Sequence, residues 1–236
     1  MIETRPARRA NAPFHHSAGS PIDTRLDTVF HRRLSRPLTR LALALGLTAN
    51  QVSLASVLVG VLSVWGFWHA TPWSALAGLV LYAAAVVLDH SDGEVARLTH
   101  SESRLGEWLD VTSDTVIHAL LVLAMGVTAQ ARAGRAGIGL GALAASDVVA
   151  SALIAKTSPR TAAGGVGGFL AALGGVLAAL GNRDGFYAML LLFILSLTFA
   201  PALLPILMIV VAAGSHAYWL TRLAYRLVAA RPSRAA

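Results

Sequence analysis

Four aspartates, Asp89, Asp92, Asp110 and Asp114, stand within the stretch Leu88 to Thr115, LDHSDGEVARLTHSESRLGEWLDVTSDT. The first pair is spaced i,i+3 and the second i,i+4, so on helices each pair shares one face. Long apolar runs flank the stretch, which makes unpaired carboxylates costly there. Clustered carboxylates repel one another, and a bound divalent cation relieves that repulsion. Hard cations such as Mg²⁺, Ca²⁺ or Mn²⁺ favour such oxygen donors. Gly93, Ala96 and Gly106 lie between the acids and leave room for a ligand to approach the backbone. Arg97 adds a forked cation suited to phosphate oxygens. An EF-hand loop fits worse, because it needs acids at alternate positions and His90 and Ser91 separate the first two aspartates.

The elements that carry these residues belong to a membrane. The chain of 236 residues is 56% hydrophobic and 13% charged, with a mean hydropathy of +0.63; a soluble domain has about 25% charged residues. Its apolar runs approach the length of a membrane span, so the composition describes one integral membrane domain. The net charge is +7, and eighteen of the nineteen basic residues are arginine. In a membrane protein that excess marks cytoplasmic loops and anionic headgroups rather than nucleic acid. There is no cysteine, which excludes disulfides, thiolate metal sites and a cysteine nucleophile. No Walker A or H-E-x-x-H sequence occurs. No early apolar segment marks a cleaved signal peptide.

The expected fold class is all-α: a polytopic membrane protein with about six transmembrane helices and an N-terminal amphipathic surface helix. Residues 1–21 read as a disordered basic tail, and residues 22–230 as a single membrane domain. Over residues 23–47, Leu26, Val29, Phe30, Leu34, Leu38, Leu41 and Leu45 recur at helical spacing among five arginines, the pattern of a helix lying on an anionic membrane surface. Gly46 is placed to end it, and Thr48-Ala49-Asn50-Gln51 matches a capping box for the next helix. Spans are expected near residues 51–69, 72–97, 105–131, 136–156, 186–201 and 203–226, with Pro201 and Pro205 marking a hairpin between the last two. A short apolar stretch from Phe169 to Leu180 reads as a membrane-surface helix in a Gly-rich connection.

Charge orients the spans. Seventeen of the basic residues fall on one side of this topology and only Arg132 and Arg135 on the other. The positive-inside rule then puts both termini and the acidic stretch in the cytoplasm. Asp147 lies inside the fourth span, where an intramembrane carboxylate is either functional or paired with a neighbouring Ser or His. His118, one turn beyond Asp114, reads as a packed histidine, and His90 and His100 as solvated ones. Gly137 and Gly141 form a G-x-x-x-G, a pointer to close helix packing or to a homodimer.

The acidic stretch resembles the signature of the CDP-alcohol phosphatidyltransferase family, D-x-x-D-G-x-x-A-R, about eight residues, then G-x-x-x-D-x-x-x-D. Asp89, Asp92, Gly93, Ala96, Arg97, Gly106, Asp110 and Asp114 fill its fixed positions. The resemblance implies a six-helix membrane enzyme of phospholipid biosynthesis whose site opens to the cytosol of the cell (inner) membrane. It implies transfer of a phosphatidyl or related substituted phosphoryl group from a CDP-linked lipid donor, CDP-diacylglycerol being the expected one, to an acceptor alcohol, with release of CMP. It implies Mg²⁺ or Mn²⁺, two ions, with Asp89, Asp92, Asp110 and Asp114 as ligands and Asp114 also as the base. Gly93, Ala96, Arg97 and Gly106 would hold the CDP moiety. An acceptor that carries a phosphate calls for a second cation, for which Lys156, Arg160 and Arg183 are the candidates. The alternative reading is a small transporter or channel with an acidic cation site; transporter sites, however, lie near the bilayer midplane, and these acids stand at expected helix ends.

Overall fold

The computed structural model describes residues 27–134, 136–157 and 182–229. The expected tail over residues 1–21, the surface helix from Phe169 to Leu180 and Arg160 lie outside them, and Lys156 is described only as part of its helix. Every element among the described residues is helical. In chain order they are α1 (Arg32–Ala44), α2 (Ala49–Trp68), α3 (Pro72–Thr99), α4 (Arg104–Ala133), α5 (Gly137–Thr157), α6 (Arg183–Phe199) and α7 (Leu204–Ala229). A wide turn, Asp27–His31, leads into α1, and a tight one, Pro201–Leu203, leads into α7.

Five of these segments are long and apolar enough to cross a membrane: α2, α3, Gly106–Ala133 of α4, Gly137–Ile154 of α5 and Pro201–Thr221. The chain is thus an integral membrane protein. The remaining expected span, α6, has 17 residues, the lower end of the range of about 17–25 that a span needs. α3 has 28 residues, about 42 Å at the usual rise of 1.5 Å. It is therefore longer than a hydrocarbon core of about 30 Å, and its acidic C-terminal turns fall toward the membrane boundary.

The chain forms two compact units. Among the described residues, one comprises residues 27–66 together with Leu76–Ile117, the other Phe67–Ala75 together with the described residues from His118 on.

In the first unit, α1 ends as the glycine at 46 dictates. Gly46 takes φ +69°, its N–H donates to the Leu43 carbonyl, and the Leu47 N–H reaches back to Ala42, which closes the last turn. Thr48 and Gln51 then cap α2 reciprocally: the Thr48 N–H donates to Gln51 Oε1 at 2.9 Å and the Gln51 N–H to Thr48 Oγ1 at 3.4 Å, while Asn50 is exposed. Ala42, Leu43, Val52 and Val95 form a small core, flanked by Ala49, Leu88 and Leu98.

The face that α1 buries is not its leucine row. Ser35 and Thr39 are fully buried, with Ala42 and Leu43, whereas Leu34, Leu41 and Leu45 are exposed. An apolar row that faces lipid gains nothing by turning inward, so small polar residues occupy the protein contact.

In the second unit, Leu121, Val122, Met125, Leu190, Phe193, Leu197 and Met208 are buried. The G-x-x-x-G of α5 packs within the chain: a Cβ added to Gly126 of α4 would meet the Gly137 carbonyl oxygen and come within 2.8 Å of Gly141 Cα. Close helix packing therefore accounts for both glycines.

Asp147 is buried and accepts hydrogen bonds from Trp219 Nε1 at 2.7 Å and, at 3.1 Å, shares one with His216 Nδ1. Its partners come from α7 rather than from the adjacent Ser146, whose hydroxyl donates to the Leu143 carbonyl. His118 packs edge-on against Phe186, with ring centroids 4.3 Å apart.

Candidate active site

The acidic stretch becomes the end of α3, a four-residue link and the start of α4. α3 closes with His100 at φ +52°. The His100 and Ser101 N–H groups donate to the Arg97 and Ala96 carbonyls at 3.3 and 2.9 Å. Ser103 then opens α4 as its cap, its Oγ accepting from the Gly106 N–H at 3.0 Å, so Gly106 has a structural part in the turn. Two antiparallel acidic helix ends joined by so short a link necessarily stay close.

That closeness brings three carboxylates together. Oxygens of Asp89, Asp110 and Asp114 all lie within 4.8 Å of one another, Asp89 and Asp114 half-buried and Asp110 exposed. Asp92, three residues beyond Asp89, is outside this group and stands against the Ser53 side chain of α2. Three hard oxygen donors at that spacing suit a hard divalent cation, and they offer no sulfur or imidazole to a softer one.

The remaining predicted residues lie on the same helix face or next to it. Gly93, Ala96 and Arg97 follow Asp89 and Asp92 along α3; a Cβ on Gly93 would sit 3.4 Å from an Arg97 guanidinium nitrogen, and Arg97 is exposed. A small residue thus lies beneath a fork-shaped cation, an arrangement that leaves a phosphate access to both backbone and guanidinium. Of the residues proposed for an acceptor phosphate, Arg183 begins α6, where the Asn182 side chain caps the helix by accepting from the Gly185 N–H at 2.9 Å.

His90 corrects its expected solvation. It is half-buried, with its ring centroid 5.7 Å from that of buried His31, because the turn carrying it faces α1. The opposite face of the acidic turns holds residues that spacing did not single out. Ser91 and Glu94 point toward α1, where Ser35 and Thr39 meet them. The available signal was the pairing of two small hydroxyl residues, i,i+4 on α1, with Ser91 and Glu94, i,i+3 on α3.

Comparison with known proteins places this geometry in context. The sequence model of the CDP-alcohol phosphatidyltransferase family matches residues 46–214, from the end of α1 into α7. A CDP-diacylglycerol–serine O-phosphatidyltransferase of Mycobacterium leprae is 38% identical over 82 residues, 35% of this chain and 26% of that protein. An archaetidylinositol phosphate synthase of Pyrococcus horikoshii is 31% identical over 125 residues, 52% of this chain and 58% of that protein. The chain therefore spans about a quarter of the one relative and just over half of the other.

Proposed function

The chain belongs to the CDP-alcohol phosphatidyltransferase family, and on that footing we propose that it transfers a phosphatidyl or related substituted phosphoryl group from a CDP-linked lipid, CDP-diacylglycerol, to an acceptor alcohol, releasing CMP. The observation that supports this most directly is the convergence of Asp89, Asp110 and Asp114 on one point. These three, with Asp92 beside them, would hold Mg²⁺ or Mn²⁺. Such a cation supplies charge neutralisation at the donor pyrophosphate and at the departing CMP.

The chain's own residues do the rest. Arg97 binds donor phosphate oxygens through its guanidinium fork, and Gly93, Ala96 and Gly106 leave space for the CDP moiety. Asp114 takes the acceptor's proton on a carboxylate oxygen, since an alcohol is a poor nucleophile at neutral pH. The acceptor oxygen bonds to the phosphorus that carries the lipid, and the bond from that phosphorus to the CMP oxygen breaks. CMP leaves with the electron pair. The site belongs to the cytoplasmic side of the cell membrane, as the arginine distribution supports.

The names of the two relatives differ in acceptor: serine in one, an inositol phosphate lipid as product in the other. Purified protein supplied with CDP-diacylglycerol, Mg²⁺ and a panel of serine, glycerol phosphate, inositol phosphate and free polyols should release CMP with one of them. Unchanged turnover in EDTA, or CMP release that ignores the alcohol, overturns the mechanism. If a phosphorylated acceptor is used, Lys156→Ala, Arg160→Ala or Arg183→Ala should raise the acceptor KM and leave the donor's unchanged.

A further inference from the structure

Glu94 lies inside the acidic stretch but takes no part in the three-oxygen group. It occupies the back of α3, where Ser91, Glu94, Val95 and Leu98 alternate with the Asp89, Asp92, Gly93 and Ala96 face. Its two carboxylate oxygens are separately engaged: Ser35 Oγ donates to Oε1 at 2.9 Å and Thr39 Oγ1 to Oε2 at 2.7 Å. Both hydroxyl residues are fully buried. Ser91 Oγ, also buried, approaches the Ser35 carbonyl oxygen at 3.2 Å. An apolar seam would have joined the two helices at lower desolvation cost. A carboxylate bridging hydroxyls one helical turn apart does something packing does not, because a slip of α1 by a turn, about 5.4 Å, leaves it only one of the two hydroxyls, and a rotation of α1 about its axis takes both away.

α1 itself has three faces. Ser35, Thr39 and Ala42 turn inward; Leu34, Leu41 and Leu45 are exposed along one flank, and Arg33, Arg36 and Arg40 along the other. Leucines on one side and arginines on the other form the pattern of a helix seated at a membrane interface. The turns of α3 that carry Asp89 and Asp92 are thus braced from behind by a surface helix.

We propose that Glu94 is a positioning residue, fastening α1 to the back of the acidic turns through Ser35 and Thr39 and thereby setting where Asp89 and Asp92 stand. Its activity readout rests on the transferase reading above; its structural readout does not. Misplacing a reacting group by about 1 Å costs on the order of 100-fold, so Glu94→Ala should lower kcat by about 10- to 100-fold with little change in acceptor KM.

Three measurements test this together. Glu94→Gln, which keeps one acceptor oxygen and can donate to a hydroxyl, should restore much of the rate. In a Ser35→Ala/Thr39→Val background, Glu94→Ala should cost little more, because the link is already absent. Backbone hydrogen exchange in nanodiscs should rise across Arg32–Ala44 in Glu94→Ala and remain unchanged in α7. Losses that add in full across the combined variant, or unaltered exchange in α1, overturn the proposal. A wild-type protein inert toward every CDP donor would defeat the transferase reading, while the exchange result would still decide the docking of α1.

Discussion

Replacing Asp110 by asparagine removes the charge of one of three clustered carboxyl groups and leaves the side-chain shape intact. At the 4.8 Å limit of the cluster, two unit charges repel by about 0.9 kcal/mol in a water-like medium and by about 3.5 kcal/mol at an effective dielectric constant near 20. Asp110 is exposed, so the lower figure governs its share. Asp89 and Asp110 share a side-chain hydrogen bond, which leaves one pair repulsion, with Asp114, of about 1 kcal/mol. Asp110→Asn should therefore stabilise the metal-free protein. About 1 kcal/mol corresponds to a rise in Tm of about 2–4 °C for a chain of this size. The cost appears in function: the variant should lose about two orders of magnitude in turnover or more, equivalent to about 3 kcal/mol of transition-state stabilisation. Intrinsic fluorescence from the five tryptophans would follow unfolding in nanodiscs, with EDTA and then with Mg²⁺. The wild type should gain stability from Mg²⁺, and the variant should gain little. An Asp110→Asn protein that melts lower in EDTA, or that keeps the full Mg²⁺-dependent gain, would refute a repulsive cluster built to hold a cation.

Asp147→Ala should lower stability by about 1–3 kcal/mol, since it removes the nearer acceptor of Trp219 Nε1 and the partner of His216 at an intramembrane contact, and Asp147→Asn should recover most of the loss in the same melting assay. Gly126→Ala should cost about 1–3 kcal/mol, because its Cβ would meet the backbone of Gly137 and Gly141, which cannot yield as a side chain can; Gly139→Ala, with nothing within 4 Å, should melt like the wild type. Cysteines introduced at His100 and Ala133 of this cysteine-free chain should react with an impermeant maleimide from opposite membrane faces, His100 from the cytoplasm. Labelling of both from one side would reject the assigned topology.

The helices were legible because their stop signals are local. Gly46, the Thr48–Gln51 box and the Pro201 break each act within one turn, and each stands in the structure as its residue type requires. The convergence of Asp89, Asp110 and Asp114 was legible for a related reason. A link as short as His100 to Ser103 leaves two antiparallel helix ends nowhere to go but beside each other. Asp92 was not separable from its neighbours by spacing alone. Its i,i+3 relation to Asp89 gives a shared face, but the position of Ser53 on another helix decides where its carboxylate rests. Likewise the partner of Asp147 lies at His216 and Trp219, far along the chain, while two serines beside it in sequence offered an equally plausible local account.

The seam between α1 and α3 eluded the hydrophobic pattern because that pattern carries an assumption about solvent. In water, a leucine row such as Leu34, Leu38, Leu41 and Leu45 seeks the protein interior, and the reading of α1 as amphipathic identifies the row correctly. At a membrane the hydrocarbon satisfies the same side chains, so the row does not say which face meets protein. What remains to specify the contact is hydrogen bonding, worth more where water is scarce. Ser35, Thr39, Ser91 and Glu94 are unremarkable as residue types, and the hydroxyls also reach carbonyls of their own helices, yet Glu94 meets Ser35 and Thr39 in only one register of the two helices. In a chain that spends its leucines on lipid, buried hydroxyls and carboxylates are therefore the residues to examine first for the contacts that position a site.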